Sequence, residues 1–296
     1  MPELPEVETV RRQLHPRVRG ATLTAIDVRD PRWCVPLSPA ALREALEGRR
    51  VEALGRRGKY LDLEFVDDIH LLMHLRMTGT LLYRPPDDVP HTRVVLTFDG
   101  AARLLFVDPR RFGTGELVLG SDALSAFFAT RLGVEPFDDA FTGATLRERA
   151  RGRRGPVKPF LLDQRTVAGV GNIYADEALF RAGVHPLRAA GSLRPGQYAR
   201  LRDGVRVALA AGIAARGASI DDFRDLDGVR GSYQDRFLVH RREGEPCPVC
   251  GTPIRKLVVG GRGTYVCVRC QPPPRRRRAQ AAISAASRPE RSASSS

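Results

Sequence analysis

No run of apolar residues in the 296-residue chain approaches the length of a membrane span. The first residues lack the basic-then-apolar pattern of a secretory signal, so a cytoplasmic address is expected. No internal repeat is visible. Cysteine is scarce: there are five, and four of them form two CxxC pairs near the C-terminus. In a cytosolic chain that usage argues against a disulfide framework and for a metal. Cys34, standing alone, reads as a small unreactive residue. Acidic residues fall short of basic ones, 34 against 48, for a net charge of +14. A chain this basic is expected to meet polyanions. A GC-rich coding composition would inflate arginine but would not cluster it, and Arg241–Arg278 alone carries ten Lys/Arg against two Glu.

The spacing of Val7, Val10, Leu14 and Val18 predicts a helix close to the N-terminus. Pro5 suits its first turn, and Glu6 and Glu8 suit its positive end, the latter with that role only. The period then changes to two. In KYLDLEF, Leu61, Leu63 and Phe65 point one way and Asp62 and Glu64 the other, as in a half-buried strand. IHLLMHL, TLLYR, RVVLTF, RLLFV and GELVL follow, separated by DD, TG, PPDD and DG turns. Residues 1–135 are therefore expected to form a β-sandwich or barrel with flanking helices. A linker near GVEPFDDAFTG leads to a helical part, 136–240, with a loop at DLDGVRGSYQDRF. Residues 241–271 hold the CxxC pairs, and 272–296 form an Arg-rich tail too poor in apolar residues to fold. The class is α+β.

Cys247, Cys250, Cys267 and Cys270 give C-x2-C-x16-C-x2-C. Four thiolates at this spacing predict one structural zinc ion, with no ligand position left for water. The intervening hairpin would present Arg262 at its GlyGlyArgGly turn, with Arg255, Lys256 and Arg269 nearby, as a phosphate or groove contact.

MPELPEVET, GRRGKYL, HLRMTG, DPRRFG, LLDQ, VAGVGNIYADEALF and the CxxC pairs occur in one order. In these motifs the chain, from Met1 to about Cys270, resembles bacterial formamidopyrimidine-DNA glycosylases. The resemblance implies a β-sandwich domain, a helical domain with a helix–two-turn–helix, a zinc ribbon, and double-stranded DNA bound in the cleft between them. It implies loss of Met1, leaving the amine of Pro2 as a Schiff-base nucleophile that titrates at roughly 7.7–8.0 in model peptides. Glu3 would be the general acid/base and Glu6 would hold the amine. Lys59 and Arg262 would contact phosphate and donate protons in β- and δ-elimination. Lys158 and Asn172 would grip phosphates, with Gly169 and Gly171 allowing close backbone approach. Met77, Arg110 and Phe112 would fill the void left by an everted base. Turns beside Met77 and Phe112 favour this over core positions. His91 would touch DNA, whereas His74, inside an apolar strand, reads as structural.

The implied substrates are oxidised purines (8-oxoguanine and formamidopyrimidines) and abasic sites. The related endonuclease VIII type prefers oxidised pyrimidines and typically has Gly where Leu4 stands. A noncatalytic ribbon protein would need no Pro2, Glu3, Glu6 and Lys59 set. The implied enzyme is a monomer of the cytoplasm and nucleoid. Arg76 departs from a common glycine, and the lesion-reading segment, about 217–233, matches only loosely.

Overall fold

The computed structural model describes residues 1–85, 89–220 and 223–274. Most of the Arg-rich tail, and positions 221 and 222 of the lesion-reading segment, lie outside the described residues.

The chain opens on helix α1 (Leu4–Val18). Eight strands follow: β1 (Leu23–Val28), β2 (Val51–Arg57), β3 (Tyr60–Phe65), β4 (Ile69–His74), β5 (Thr80–Tyr83), β6 (Thr92–Phe98), β7 (Ala102–Val107) and β8 (Thr114–Leu119). They make two four-stranded antiparallel sheets, ordered β1-β6-β7-β5 and β2-β3-β4-β8. Helix α2 (Pro39–Leu46) lies after β1, and α3 (Ser121–Arg131) follows β8. The period-two reading of KYLDLEF holds: Leu61, Leu63 and Phe65 are fully buried between the sheets, and Asp62 and Glu64 face outward. β4 is buried along its whole length because both faces are covered, although His70 and His74 share one face with Leu72. Leu71 and Met73 enter the sandwich, while Leu72 packs with Tyr60, Val118, Phe127 and Phe128 under α3. Cys34 is buried in the sandwich core.

The helical part consists of α4 (Gly143–Ala150), α5 (Val157–Leu162), α6 (Asn172–Ala182) and α7 (Pro195–Ala214) around a second core. Gly183, left-handed at φ +64°, ends α6. A short antiparallel ribbon, β9 (Arg255–Val259) with β10 (Arg262–Val266), closes the described chain. The DLDGVRGSYQDRF segment is a loop with one short turn at Tyr233–Arg236, yet Tyr233 within it is fully buried.

Helix α1 belongs to both cores. Val7, Val10, Leu14 and Val18 enter the sandwich, whereas Leu4 enters the helical core. The Leu4 N–H donates to Gly169 O at 3.0 Å. Glu8 does more than stabilise the helix end. Burial alone would raise its carboxyl, but bonds to Arg11 and Arg12 and the charge of Arg56 hold it at about 2. Arg56 Nε reaches Glu8 at 3.1 Å and its Nη2 reaches Glu135 at 3.0 Å, tying α1 to the linker. Among the described residues no helix is long and apolar enough to cross a membrane.

Because Leu4 joins the N-terminus to the second core, Leu4→Ala is expected to destabilise the protein by about 2–5 kcal/mol. Thermal and denaturant unfolding measure this.

Candidate active site

Two glutamates at the head of α1 are sunk into the boundary between the cores. The Glu3 carboxylate accepts from the N–H groups of Ile173 (2.9 Å) and Tyr174 (3.4 Å), in the first turn of α6. Free N–H groups and the positive helix end make this a ready site for an anion. The approach is so close that a Cβ on Gly171 would lie 2.3 Å from Glu3 Cδ. Gly169 is left-handed at φ +87°, and a Cβ there would lie 2.6 Å from Leu4. The glycines of GVG are thus required by the chain start that packs on them.

Glu6 is buried one turn further along. Its Oε2 accepts from Glu3 N–H at 2.8 Å. Its Oε1 accepts from Tyr174 O–H at 2.8 Å and Ala218 N–H at 2.7 Å. Burial pushes its carboxyl up to about 7, and the charge of Glu3 adds to this, although the three donors pull the other way. Lys59, just before β3, is also buried. Burial pushes its amine below the usual range. The charges of Glu3 and Glu6 oppose that fall and Arg262 reinforces it. Pro2 and Glu3 line a cleft of about 680 Å³, together with Met77, Arg110, Asn172, Lys256 and Arg262.

In the second wall, two turns of the sandwich contribute Met77 and Arg110 to the cleft lining, whereas Phe112, in the second turn, is outside it. Met77 sits between β4 and β5, 38% exposed, and Phe112 between β7 and β8, 50% exposed. Neither is a core residue. The Arg110 guanidinium lies 4.9 Å from the centre of the Phe112 ring. Both turns are organised by Asp108, whose role was not read from the sequence. Its buried carboxylate accepts from the N–H groups of Arg110 (3.2 Å), Phe112 (2.8 Å) and Gly113 (2.7 Å), and from the Thr78 hydroxyl. An aspartate directly before Pro109 in a turn was the available signal. His91 is exposed and outside the cleft lining, but its carbonyl accepts from Asp108 N–H. Arg76 occupies a left-handed position, φ +52°, where glycine is cheapest. Its N–H donates to His74 Nδ1 at 2.9 Å. His74 is buried, and burial with the charges of Arg76 and Lys59 lowers it to about 3, so it is a neutral structural acceptor.

The third wall is the ribbon. Left-handed Gly260 and Gly261 form its tip, and exposed Arg262 follows them into the cleft lining. Arg255 and Arg269 are exposed but do not line the cleft. Lys158 is placed differently from a phosphate-gripping side chain. It is wholly buried, with Nζ 2.7 Å from Asp176 Oδ1, 2.8 Å from Thr264 Oγ1 and 3.0 Å from Gly263 O. Two hydrogen bonds to the ribbon and an ion pair with Asp176 fasten the ribbon to α6. His240 Nδ1, 2.8 Å from Asp176 Oδ2, belongs to the same cluster. Asn172 Nδ2 donates to Gly263 O at 3.1 Å, and among the described residues its buried Oδ1 has no partner.

The Sγ atoms of Cys247, Cys250, Cys267 and Cys270 lie within 4.8 Å of one another, with pairs at 3.5 and 3.8 Å. A tetrahedral ion with bonds of about 2.3 Å to sulfur has S···S edges of about 3.8 Å, so the thiols fit such an ion.

Three family models match the chain. They are described as the formamidopyrimidine-DNA glycosylase N-terminal domain (residues 1–115), the H2TH domain of the same enzymes (132–224), and a zinc finger found in FPG and IleRS (244–273). The formamidopyrimidine-DNA glycosylase of Chloroflexus aggregans is 46% identical over 274 residues, covering 92% of this chain and 98% of that one. The enzyme of Aromatoleum aromaticum is 47% identical over 275 residues, covering 92% and 99%. The crystal structure of the MutM (Fpg) protein from Thermus thermophilus superposes with a TM-score of 0.82 at 43% identity, over 91% of this chain and 98% of that one. Lactococcus lactis Fpg in complex with DNA containing an abasic site gives 0.85 at 36% identity, over 92% and 100%. A sandwich, an H2TH helical part and a four-cysteine ribbon around one cleft define the helix–two-turn–helix class of DNA glycosylase. Within that class the chain belongs to the formamidopyrimidine-DNA glycosylase family. It is a base-excision-repair glycosylase with abasic-site lyase activity.

The raised Glu6 carboxyl sets a pH dependence of stability. A folded value near 7, above the ordinary 4.5, favours the neutral form in the fold. The proton's contribution is therefore complete below about 4.5 and is lost as pH rises through 7. Glu6→Gln keeps a neutral side chain, so its stability relative to the parent should rise across that window by on the order of 3 kcal/mol. Denaturant unfolding from pH 4 to 8.5 measures it, using an N-terminally extended form in which no terminal ammonium lies at Pro2.

Proposed function

We propose that this chain excises oxidised purines, 8-oxoguanine and formamidopyrimidines, from double-stranded DNA, and that Pro2 is the attacking residue once Met1 is removed. The observation that carries the reading is the depth at which the chain start is held. Pro2 and Glu3 line the cleft, and the Glu3 carboxylate sits on the N-terminus of α6. Leu4 supports the purine preference, and a mutant of a relative, Lactococcus lactis Fpg, has been crystallised with Fapy-dG DNA.

In the proposed chemistry the neutral Pro2 amine uses its lone pair to attack C1′ of the damaged nucleotide. The glycosidic C–N bond breaks and the base leaves with its electron pair. Glu3 protonates the sugar ring oxygen as the C1′–O4′ bond breaks and the ring opens to an iminium on the Pro2 nitrogen, and it later shuttles protons. The iminium that remains acidifies the C2′ proton, and elimination breaks the 3′ and then the 5′ phosphate bond. Glu6 gives the amine's own proton a destination. An α-amine near 7.7–8.0 and a carboxyl near 7 are matched to about one unit, so transfer between them is cheap.

Lys59 and Arg262 face phosphates and supply protons for β- and δ-elimination. Arg110, Met77 and Phe112 occupy the gap left by the everted base, with His91 and Asn172 on the backbone. Lys158 contributes to DNA binding through the ribbon it fastens. The four cysteines hold one zinc ion, whose only chemistry is to cross-link the ribbon. In this reading the functional units are 1–135, 136–240 and 241–271, with 272–296 as a basic tail, and the enzyme is a cytoplasmic monomer acting on nucleoid DNA.

Borohydride should trap a covalent adduct between the protein and a duplex carrying 8-oxoguanine opposite cytosine. Absence of an adduct both there and at an abasic site would overturn the Pro2 assignment. One extra residue ahead of Pro2 should abolish trapping, since an amide nitrogen has no free lone pair. Chelation should release one zinc per chain and weaken binding to abasic-site DNA at fixed salt by about tenfold or more, the loss expected when the Arg262 wall is removed. Titration by anisotropy reads this.

A further inference from the structure

Glu6 touches three parts of the molecule with one carboxylate. On one side, Oε2 accepts from the N–H of the Pro2–Glu3 peptide. On the other, Oε1 accepts from the Tyr174 hydroxyl of α6 and from Ala218 N–H, at the start of the segment after α7. That segment has no slack against Glu6. Gly217 is left-handed at φ +80°, and a Cβ there would lie 2.8 Å from Glu6 Cγ. Ala218, Ile220 and Phe223 of the same segment line the cleft, so a base held in the cleft meets them directly.

Tyr174 is built in rather than incidental. It is fully buried, its ring stacks on Tyr233 at 5.1 Å and 12°, and a Cβ on Gly212 would lie 2.4 Å from its hydroxyl. Its hydroxyl donates to Glu6. Burial pushes its own ionisation well above the usual range, so at working pH it remains a donor. The other titratable groups set around Glu6 are Glu3 from the start of α1, Lys59 from the turn before β3 and Tyr233 from the segment itself.

We infer that Tyr174 is a positioning residue that acts through Glu6, coupling the segment beginning at Gly217 to the peptide that carries Pro2. With the segment seated, Ala218 N–H joins the Tyr174 hydroxyl of α6 on Oε1, which favours the ionised form of Glu6 and fixes the Pro2–Glu3 peptide by Oε2. The nucleophile is then oriented, and its proton acceptor is set, only when the cleft wall is in place. The inference rests on Pro2 being the nucleophile.

The test is Tyr174→Phe, which deletes the hydroxyl and keeps the ring. Single-turnover rates are followed against pH at saturating DNA, on 8-oxoguanine and abasic duplexes, and normalised to sites titrated by borohydride trapping. The normalisation corrects for any loss of folded protein. The rate should fall by roughly tenfold or more, as expected for loss of a bond to a charged group. The rising limb should move to higher pH, because a donor to the carboxylate has been lost. DNA affinity should be unchanged. The loss should be larger with 8-oxoguanine, where a base meets the segment, than at an abasic site. Adding Tyr174→Phe to Glu6→Gln should cost nothing further. Tyr233→Phe, which alters the stacked ring without touching Glu6, should leave the limb in place. An unmoved limb in Tyr174→Phe, or an undiminished loss in the Glu6→Gln background, would overturn the inference while leaving Pro2 as the nucleophile. Failure of the unaltered enzyme to trap would overturn both.

Discussion

The bond from Leu4 N–H to Gly169 O, flanked by Glu3 on the amides of Ile173 and Tyr174, is the contact on which the rest of the site depends. The first few residues of a domain ordinarily fray unless they are tied down. Here they are held from the side. Leu4 is buried in the helical core while Val7 and Val10, on the same helix, are buried in the sandwich. Any displacement of the first residues must therefore disturb both cores. That is the rigidity the proposed nucleophile, Pro2, requires, since a reacting atom must be placed to within a fraction of an ångström.

The cost of this arrangement is electrostatic. Two carboxylates three residues apart, both buried, repel each other and lose their hydration. The structure offsets the two losses differently. Glu3 takes the helix N-terminus of α6, a fixed positive potential that requires no partner side chain. Glu6 takes neutral donors and a proton affinity near 7, so its charge is conditional. Lys59, itself destabilised by burial, faces both. Burial shifts both Glu6 and Lys59 away from their ordinary ionisation, which is the expected signature of a site arranged for chemistry rather than for folding.

Much of this was legible from the residues alone, and the illegible part has a common cause. Periodicity gave β3 through Leu61, Leu63 and Phe65 because each residue reports its own burial. Cysteine spacing gave the metal cluster because its ligands come in local pairs. The chain start read as no more than a helix with favourable charge until family motifs identified it. The Glu8–Arg56–Glu135 chain and the Lys158 cluster were invisible because their meaning lies in partners far along the chain. A lysine in the first turn of a helix looks solvated in sequence. Nothing local says that Thr264, 106 residues away, will receive it.

Lys158 also explains why the ribbon can act as a wall. A five-residue, two-stranded hairpin is marginal by itself, even when a metal closes its base. Its tip lies at the opposite end of the two strands from Cys267 and needs a second fixing point. Lys158 provides it by binding Gly263 O and Thr264 Oγ1, and Asp176 neutralises the buried charge. Such a pair contributes little net stability but strongly resists loss of either partner. It specifies register instead: with residues 263 and 264 fixed, Arg262 has only one place to go, the cleft lining. Asp176 and Glu177 thus hold the ribbon and the segment before it from α6, and the first turn of the same helix holds Glu3. One eleven-residue helix sets the distance between the residue proposed to attack and the residue proposed to hold the phosphate.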